Sequence, residues 1–251
     1  MYKLVLIRHG QSTWNKENRF TGWTDVDITQ QGVKEAVKAG KILKDSGFNF
    51  GYAYTSLLKR AIKTLHYVLN EMDLLWIPVE KSWTLNEKHY GVIQGMNKVE
   101  MVEKYGAEQV LMWRRGFAVC PPSIPIEDQR HPVHDAKYQN IIDDAARPGT
   151  ESLLDTVNRI VPYWETEIKE KLKIHKEVLI SAHGNSLRAI IKYLKNISDE
   201  EIVELNIPTG IAYIFTFDEQ LNFVSDEFLA DKKTLKKLLD EVKNQTKRQS
   251  Q

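Results

Sequence analysis

The sequence predicts an α/β fold of three layers (αβα), with a mostly parallel central sheet between two layers of helices. Apolar runs of strand length alternate with amphipathic stretches of helical spacing, as they do in parallel sheets. Two of these runs, residues 4–7 and 178–180, contain only leucine and β-branched residues, which is typical of strands buried on both faces. A length of 251 residues suits one core, so we expect residues 1–251 to form a single domain.

The strands of this sheet are predicted from the short apolar runs. Two runs on either side of Asp218-Glu219 predict a terminal hairpin, because a polar turn between apolar segments is a hairpin signal. The hairpin strands are residues 211–217 and 223–229, and the other predicted strands are residues 4–7, 52–55, 76–79 and 177–182.

Helices are predicted where apolar residues recur every three or four positions. Ser56 is expected to cap the helix whose apolar face begins at Leu57 and ends at Met72. Pro162 is expected to kink a long helix that begins at Thr150 or Ser152 and runs toward Lys173. The other predicted helices are residues 33–46, 97–115 and 186–195, a short helix with a capping box from Ser198 to Glu201, and a tail helix from Lys232.

Two segments depart from this alternation. Residues 118–149 contain five prolines among mixed polar residues, which predicts a long irregular loop. Loops of that length in compact domains are usually functional or act as lids. The tail, residues 232–251, has one apolar face and ends in polar residues, so we expect a docked helix with a frayed end.

Composition narrows the class of protein. A formal net charge of +1 gives no overall attraction to nucleic acid or to membrane, and we expect neither as a partner. The single cysteine, Cys120, the start at Met1 without a signal-peptide pattern and the lack of a membrane-length apolar run favour a cytoplasmic protein. No closely spaced His and Cys set occurs, and His131 and His134 lie in the proline-rich loop without an obvious set of carboxylate partners, so no metal is expected.

Two histidines occupy matching places. His9 and His183 each follow a buried strand and precede a glycine, and the carboxyl ends of parallel strands meet at one edge of a sheet, where ligands bind. A lone histidine there is more often a satisfied strand-end residue. Two of them, the first preceded by Arg8, instead favour a shared reactive pocket.

The chemistry that these residue types favour is phosphoryl transfer. Neutral imidazole is a competent nucleophile near pH 7, and a moving phosphoryl group needs cations around its oxygens. Arg8 and Arg60 are candidates for those cations, and His183 for a donor to the same oxygens. On its own, Arg60 is better explained as a solvated helix residue.

Transfer to a hydroxyl also needs a group that accepts and returns a proton. Glu87 is one candidate, but the residues alone do not favour it over other carboxylates, and a surface position is its commoner fate. Lys98, Arg114 and Arg115 are candidates for binding further anionic groups, although on spacing alone an ordinary basic helix face explains them better.

Seven phrases of the chain resemble the cofactor-dependent phosphoglycerate mutases of the histidine phosphatase superfamily, and the resemblance extends from Tyr2 to about Leu229. The short Arg-His-Gly phrase indicates only the superfamily, whereas the longer phrases indicate the mutase branch. They are Leu6-Ile7-Arg8-His9-Gly10, Trp14 to Asp25, Tyr54-Thr55-Ser56, Leu85-Asn86-Glu87, Trp113-Arg114-Arg115, Ala182 to Arg188, and Asn206 to Gly210.

This resemblance implies a phosphoglycerate mutase-like fold and interconversion of 3-phosphoglycerate and 2-phosphoglycerate. It implies that 2,3-bisphosphoglycerate primes phospho-His9 without a metal, that Glu87 is the acid and base, and that Arg8, Arg60 and His183 surround the moving phosphoryl group. It also implies a dimer or tetramer. The implied substrate contacts are Ser12, Asn15, Thr21, Gly22, Tyr90, Lys98, Arg114, Arg115, Gly184 and Asn185.

Three departures from the family pattern accompany the resemblance. Gln11 replaces a usual glutamate, Lys88 replaces a usual arginine, and residues 116–118 differ from the usual motif. We expect an altered rate or altered cofactor retention rather than a new reaction. The alternatives are a phosphatase or bisphosphoglycerate synthase of the same fold, and a non-catalytic protein that retains the fold.

Overall fold

The computed structural model describes residues 1–143 and 146–247. Its six-stranded sheet has the order β3-β2-β4-β1-β5-β6. The first four of these strands pair in parallel, and β5 and β6 pair antiparallel at one edge. The predicted mostly parallel sheet and terminal hairpin are therefore confirmed. The strands are β1 (Tyr2–Arg8), β2 (Tyr52–Thr55), β3 (Val79–Lys81), β4 (Glu177–Ala182), β5 (Ala212–Phe217) and β6 (Phe223–Phe228).

Helices cover both faces of this sheet, which confirms the three-layer prediction. The buried residues of α2 and α3 form one apolar cluster with one side of the sheet, and those of α6, α7 and α8 form another with the opposite side. The helices are α1 (Thr13–Lys16), α2 (Gln30–Asp45), α3 (Lys59–Glu71), α4 (Lys98–Tyr105), α5 (Ala107–Arg115), α6 (Leu153–Tyr163), α7 (Lys169–His175), α8 (Gly184–Lys195) and α9 (Lys232–Lys243).

The sequence of β1 does not alternate apolar with polar residues, because each face of the strand packs against a different apolar cluster. Leu4 and Leu6 pack into the cluster with α6 to α8, whereas Val5 and Ile7 pack into the cluster with α2 and α3. All four side chains are buried because both faces of β1 are covered. The apolar run therefore places the end of β1 in the middle of the molecule.

Two predicted boundaries were wrong. The third strand is Val79–Lys81 rather than residues 76–79, and Trp76 is 75% exposed outside the sheet. The third helix begins at Lys59 after Leu58, without a side-chain cap. Ser56 does not cap it in the predicted way, because its hydroxyl accepts the Leu58 N–H and contacts His183.

Other predicted helices are divided or shifted. Residues 97–115 form α4 and α5, which are separated at Gly106 with φ +83°. Pro162 lies inside α6, and a π-helical turn, Trp164–Ile168, follows it before α7 begins. Proline lacks the N–H that continues a helical ladder, so an irregularity next to it is expected. α8 starts at Gly184, two residues earlier than predicted, and a 3-10 turn, Glu201–Glu204, follows the Ser198 capping box.

The described part of the predicted loop, residues 118–149, contains the short 3-10 turns Pro132–His134 and Ala136–Tyr138 and has neither a strand nor an α-helix. Tyr138 and Ile142 from this loop pack against Trp23. Residues 144–145 of the loop and 248–251 of the predicted tail lie outside the described residues. Across the described ranges, we find no helix with the length and apolar character needed to cross a membrane.

Candidate active site

The two histidines meet at the carboxyl edge of the sheet. His9 follows β1 and His183 follows β4, and these strands are direct neighbours with Arg8 in register with Ala182. The N–H of His9 donates to the Ala182 carbonyl over 2.9 Å. The two imidazole centroids lie 5.0 Å apart, with the ring planes inclined by 59°. The expected juxtaposition of the two rings is confirmed.

His9 is held with one ring nitrogen free to react. Its Nδ1 lies 2.8 Å from the Gly10 carbonyl oxygen, which only accepts hydrogen bonds, so Nδ1 carries the proton and Nε2 keeps its lone pair. Burial lowers the pKa of His9 well below its usual value, and the positive charges of Arg60 and Arg8 lower it further. The imidazole is therefore neutral at pH 7, as a nucleophile must be.

The turn after His9 is fixed by the close approach of Gly10 to the backbone of α2. A Cβ on Gly10 would lie 2.3 Å from the carbonyl oxygen of Gly32 in α2, so only glycine fits there. The Gly10 N–H donates to Thr64 Oγ1 of α3 over 3.0 Å. The turn is thus held between two helices.

His183 is also neutral and has a free ring nitrogen. Burial, followed by the charge of Arg60, lowers the pKa of His183 well below its usual value. Its Nε2 lies 2.7 Å from Ser56 Oγ. Its Nδ1 is buried and has no hydrogen-bond partner among the described residues.

Arg60 is fully buried, so its interpretation as a solvated helix residue is wrong. Its guanidinium donates to the carbonyls of Gly22 over 2.7 Å and Thr24 over 2.9 Å. Burial lowers its pKa to about 10, so it remains a cation at neutral pH. Gly22 itself has φ +57°, and a Cβ there would meet Gln94 Oε1 at 1.9 Å.

Glu87 is 8% exposed, so its interpretation as a surface carboxylate is wrong as well. Its Oε1 accepts the backbone N–H groups of Lys88 and Asn185, each over 2.9 Å. A Cβ on Gly184 would lie 3.6 Å from both Glu87 Oε2 and Arg8 Nε, so both groups border the same glycine. The carboxylate thus lies beside the arginine that precedes His9.

Lys98, Arg114 and Arg115 are all buried and do not form an exposed basic helix face. Arg114 Nη2 donates to the Val242 carbonyl and to Gln245 Oε1, each over 2.7 Å, and Lys98 Nζ donates to Gln245 Oε1 over 3.1 Å. Burial and repulsion from Arg114 lower the pKa of Lys98 well below its usual value. Val242 and Gln245 of the C-terminal segment therefore cover Lys98 and Arg114.

Most of the predicted site residues line one cavity. In the part of the chain that the structure describes, Ser12 and His183 are not among the lining residues. Ser12 is the N-cap of α1, where its hydroxyl pairs with Asn15, while His183 contacts the ring of His9. The predicted residues at the cavity are Arg8, His9, Asn15, Thr21, Gly22, Arg60, Glu87, Tyr90, Lys98, Arg114, Arg115, Gly184 and Asn185.

Five further residues line the cavity that sequence reasoning did not assign: Arg19, Phe20, Arg188, Val242 and Gln245. The first three lie within the sequence phrases that carry the family resemblance, and their place in those phrases could have identified them as site residues. Val242 and Gln245 lie in the tail, and no motif in the sequence marked them.

Charge is strongly concentrated around this cavity. One carboxylate, that of Glu87, faces seven cationic side chains, although the whole chain has a net charge of only +1. Such a cavity suits a small ligand with several anionic groups. Within the described residues there is no group of three or more His, Cys, Asp or Glu side chains placed to hold a metal. The seven cations are Arg8, Arg19, Arg60, Lys98, Arg114, Arg115 and Arg188.

The structure shows what Gln11 and Lys88, two of the departures from the family pattern, contact. Gln11 Oε1 accepts the Thr29 hydroxyl at the start of α2 over 2.9 Å. Lys88 is fully buried and donates from Nζ to the Trp113 carbonyl over 2.6 Å. Burial and repulsion from Arg188 lower the pKa of Lys88 to about 7.

The chain is similar to known proteins over nearly its whole length. A sequence profile of the histidine phosphatase superfamily (branch 1) matches residues 4–129 and 123–226. The chain is 59% identical over 248 residues to the 2,3-bisphosphoglycerate-dependent phosphoglycerate mutase of Elusimicrobium minutum, covering 99% of this chain and 100% of that protein. Its identity to the proteins of the same name from Porphyromonas gingivalis and Bacteroides fragilis is 58%, with the same coverage.

Solved structures show a similar fold at much lower identity. YhfR of Bacillus stearothermophilus superposes with a TM-score of 0.65 at 20% identity, covering 88% of this chain and 94% of that one. A mycobacterial glucosyl-3-phosphoglycerate phosphatase also superposes with a TM-score of 0.65 at 20% identity, covering 91% and 97%. These similarities concern the fold alone.

Proposed function

Since this chain belongs to the 2,3-bisphosphoglycerate-dependent phosphoglycerate mutase family of the histidine phosphatase superfamily, we propose that it interconverts 3-phosphoglycerate and 2-phosphoglycerate through phospho-His9. The observation that carries this proposal is the arrangement of seven cations and one carboxylate around a neutral His9. A phosphoglycerate carries one phosphate and one carboxylate, so its charges complement that cavity.

His9 is the nucleophile in this proposal. Its Nε2 attacks phosphorus, and the bond from phosphorus to the departing oxygen breaks. Arg8 and Arg60 stabilise the charge on the transferred group, and His183 contributes its free Nδ1. The buried and unpaired Nε atoms of both arginines support this role.

Glu87 moves the proton. When phospho-His9 transfers its phosphoryl group to the C2 hydroxyl of 3-phosphoglycerate, Glu87 accepts the hydroxyl proton. When the bisphosphorylated product has turned in the cavity, its other phosphoryl group returns to His9 and Glu87 protonates the departing C3 oxygen. The product is 2-phosphoglycerate, and both His9 and Glu87 are restored to their starting states.

The remaining predicted residues bind the rest of the substrate. Lys98, Arg114 and Arg115 bind its distal anionic group, while Tyr90 and Asn185, joined by a 2.9 Å hydrogen bond, shape the cavity wall. Asn15, Thr21, Gly22 and Gly184 contact the substrate from the remaining sides. Ser12 acts through Asn15, because its hydroxyl is engaged in the cap of α1.

We infer that the cavity also binds 2,3-bisphosphoglycerate. The unpaired Nε atoms of Arg8 and Arg60 are donors for one phosphate, and Lys98, Arg114 and Arg115 provide cations for a second phosphate. When bound, 2,3-bisphosphoglycerate supplies the phosphoryl group that first charges His9. Arginine and lysine side chains provide the positive charge, and we propose that no metal takes part.

Enclosure favours transfer to a bound hydroxyl over transfer to water. Val242 and Gln245 cover the cavity and contact Arg114 directly, so closure by the tail excludes solvent from phospho-His9. The test is to supply 3-phosphoglycerate with a trace of 2,3-bisphosphoglycerate and to measure 2-phosphoglycerate and free phosphate together. The mutase proposal predicts mainly 2-phosphoglycerate. Mainly phosphate would indicate a phosphatase, and neither product would indicate a non-catalytic protein.

We further propose that the protein is a cytoplasmic homo-oligomer, a dimer or tetramer, with residues 1–251 forming one domain. The edge strand β3 supports self-association, because Val79 in this strand is 39% exposed, and Leu75 and Trp76 before it are 50% and 75% exposed. Light scattering of the wild-type protein and of Trp76→Lys tests this proposal. A monomeric wild-type protein would contradict it.

A further inference from the structure

The segment that carries Glu87 has little regular structure of its own. A 3-10 turn, Trp83–Leu85, precedes it, and another begins at Gly91. Neither a sheet ladder nor an α-helix fixes its carbonyl groups. The position of the Glu87 carboxylate therefore depends on side chains that hold this backbone from outside.

Arg159 of α6 is the side chain that holds it most extensively. Its guanidinium donates to the carbonyls of Thr84, Asn86 and Glu87, the last two over 2.9 Å and 3.2 Å. Its Cζ lies 5.9 Å from the centre of the Trp83 ring. The Arg159 side chain is 7% exposed, so these bonds are shielded from water.

Glu151 completes the arrangement from the other side. Its Oε1 accepts Arg159 Nε over 2.7 Å, and its Oε2 accepts both Arg159 Nη2 over 3.2 Å and the His89 N–H over 2.8 Å. The Glu151 N–H donates in turn to the His89 carbonyl over 2.9 Å. One buried ion pair thus holds the chain at residues on both sides of Glu87.

We propose that Arg159 and Glu151 are positioning residues for Glu87, which keep its carboxylate at the distance that proton transfer needs. This inference rests on the proposed function, because it assigns the pair a role in the proton step. Neither residue lines the cavity among the described residues, so neither touches the substrate. Their effect on the reaction passes through the backbone of residues 84–89.

A double-mutant cycle tests this coupling. The single-turnover rate at which 2,3-bisphosphoglycerate phosphorylates His9 is measured in the wild-type protein, Arg159→Lys, Glu87→Gln and the double variant. Arg159→Lys is expected to lower the rate roughly tenfold to a hundredfold when Glu87 is present, as displacement of a catalytic group does. In the Glu87→Gln protein the same change is expected to have almost no effect, because the group it positions is already gone.

A second variant and a control complete the design. Glu151→Gln, which keeps the shape of the side chain, is expected to show the same dependence on Glu87, and it replaces Arg159→Lys if that variant fails to fold. Arg147→Lys is the matched control. Arg147 is 7% exposed and donates to the carbonyls of Tyr138, Gln139 and Ile142 rather than to those of residues 84–89.

The outcomes separate the two proposals. Equal loss of rate in both backgrounds, or no loss when Glu87 is present, would overturn the positioning role. If the wild-type protein makes 2-phosphoglycerate and the cycle is additive, only this inference fails. If the wild-type protein makes none, the proposed function fails and the inference fails with it.

Discussion

The backbone N–H of Asn185 donates to Oε1 of Glu87 over 2.9 Å. Asn185 lies in the first turn of α8, two residues after His183, whereas Glu87 lies in an irregular segment nearly a hundred residues earlier in the chain. This hydrogen bond joins the proposed proton-transfer group to the strand end that carries the second histidine. It also places the carboxylate at the amino end of a helix, where unpaired N–H groups favour anions.

The role of Glu87 predicts a selective loss of turnover. Glu87→Gln keeps the shape of the side chain but cannot accept the hydroxyl proton, so kcat for the mutase reaction is expected to fall roughly 10²- to 10⁴-fold. Binding of 3-phosphoglycerate, measured by calorimetry, is expected to remain. Glu108→Gln, at an exposed position of α5, is the control. An unchanged kcat in Glu87→Gln would contradict the assignment.

The charge state of His9 predicts its titration. Its pKa lies well below the usual value because of burial and the charges of Arg60 and Arg8. Imidazole NMR of the unliganded protein is therefore expected to show a neutral ring with a proton on Nδ1 at pH 6.5. Arg60→Met is expected to raise the midpoint, since it removes a positive charge. A midpoint at or above pH 6.5 in the wild-type protein would refute this account.

The buried Lys88 predicts a pH-dependent contribution to stability. Its pKa falls from 10.5 to about 7 in the folded protein. Between these values the unfolded chain binds a proton that the folded chain does not, so this contribution to the free energy of unfolding rises with pH. Relative to Lys88→Met, wild-type stability is expected to rise by up to about 1.4 kcal/mol per pH unit above pH 7.

Urea unfolding of both proteins from pH 7 to pH 9 measures this slope. Lys38→Met, at an exposed position of α2, is the control and is expected to stay parallel to the wild-type protein. A constant offset between the Lys88→Met and wild-type proteins across this range would disprove the prediction, because a lost hydrogen bond to Trp113 alone gives no slope.

We predict that the tail shields phospho-His9 from water. Gln245 Oε1 accepts from both Lys98 and Arg114, so Gln245→Ala removes two of the contacts that hold the tail over the cavity and leaves the hydrogen bond from Arg114 to the Val242 carbonyl. The ratio of free phosphate to 2-phosphoglycerate is expected to rise as water enters. Lys232→Ala, exposed at the start of α9, is the control. An unchanged ratio would show that Gln245 does not limit access.

The sequence contained enough information to place the two histidines, but not their partners. His9 and His183 end strands that pair directly, and strand patterns report such neighbours. Glu87 and Arg114 reach the cavity on irregular or short elements, whose paths depend on contacts with distant segments. Their residue types made both of them candidates, but only the family resemblance favoured them over the alternatives.

Local sequence patterns could not predict the contacts of Ser56 and Gln245. Ser56 had the composition of a helix cap, yet its hydroxyl contacts His183, because the end of β2 lies beside the end of β4. Gln245 stands in a polar stretch that predicted only fraying. Its bonds to Lys98 and Arg114 depend on where α9 packs, and no sequence period encodes that position.

The central claim is that His9 carries the phosphoryl group between the two positions of phosphoglycerate. The most direct measurement is rapid quenching of the protein after exposure to labelled 2,3-bisphosphoglycerate, followed by a chase with 3-phosphoglycerate. The account predicts one acid-labile phosphohistidine per chain, at His9, which the chase discharges with formation of 2-phosphoglycerate. Absence of label on His9, or its discharge only as free phosphate, would contradict the account.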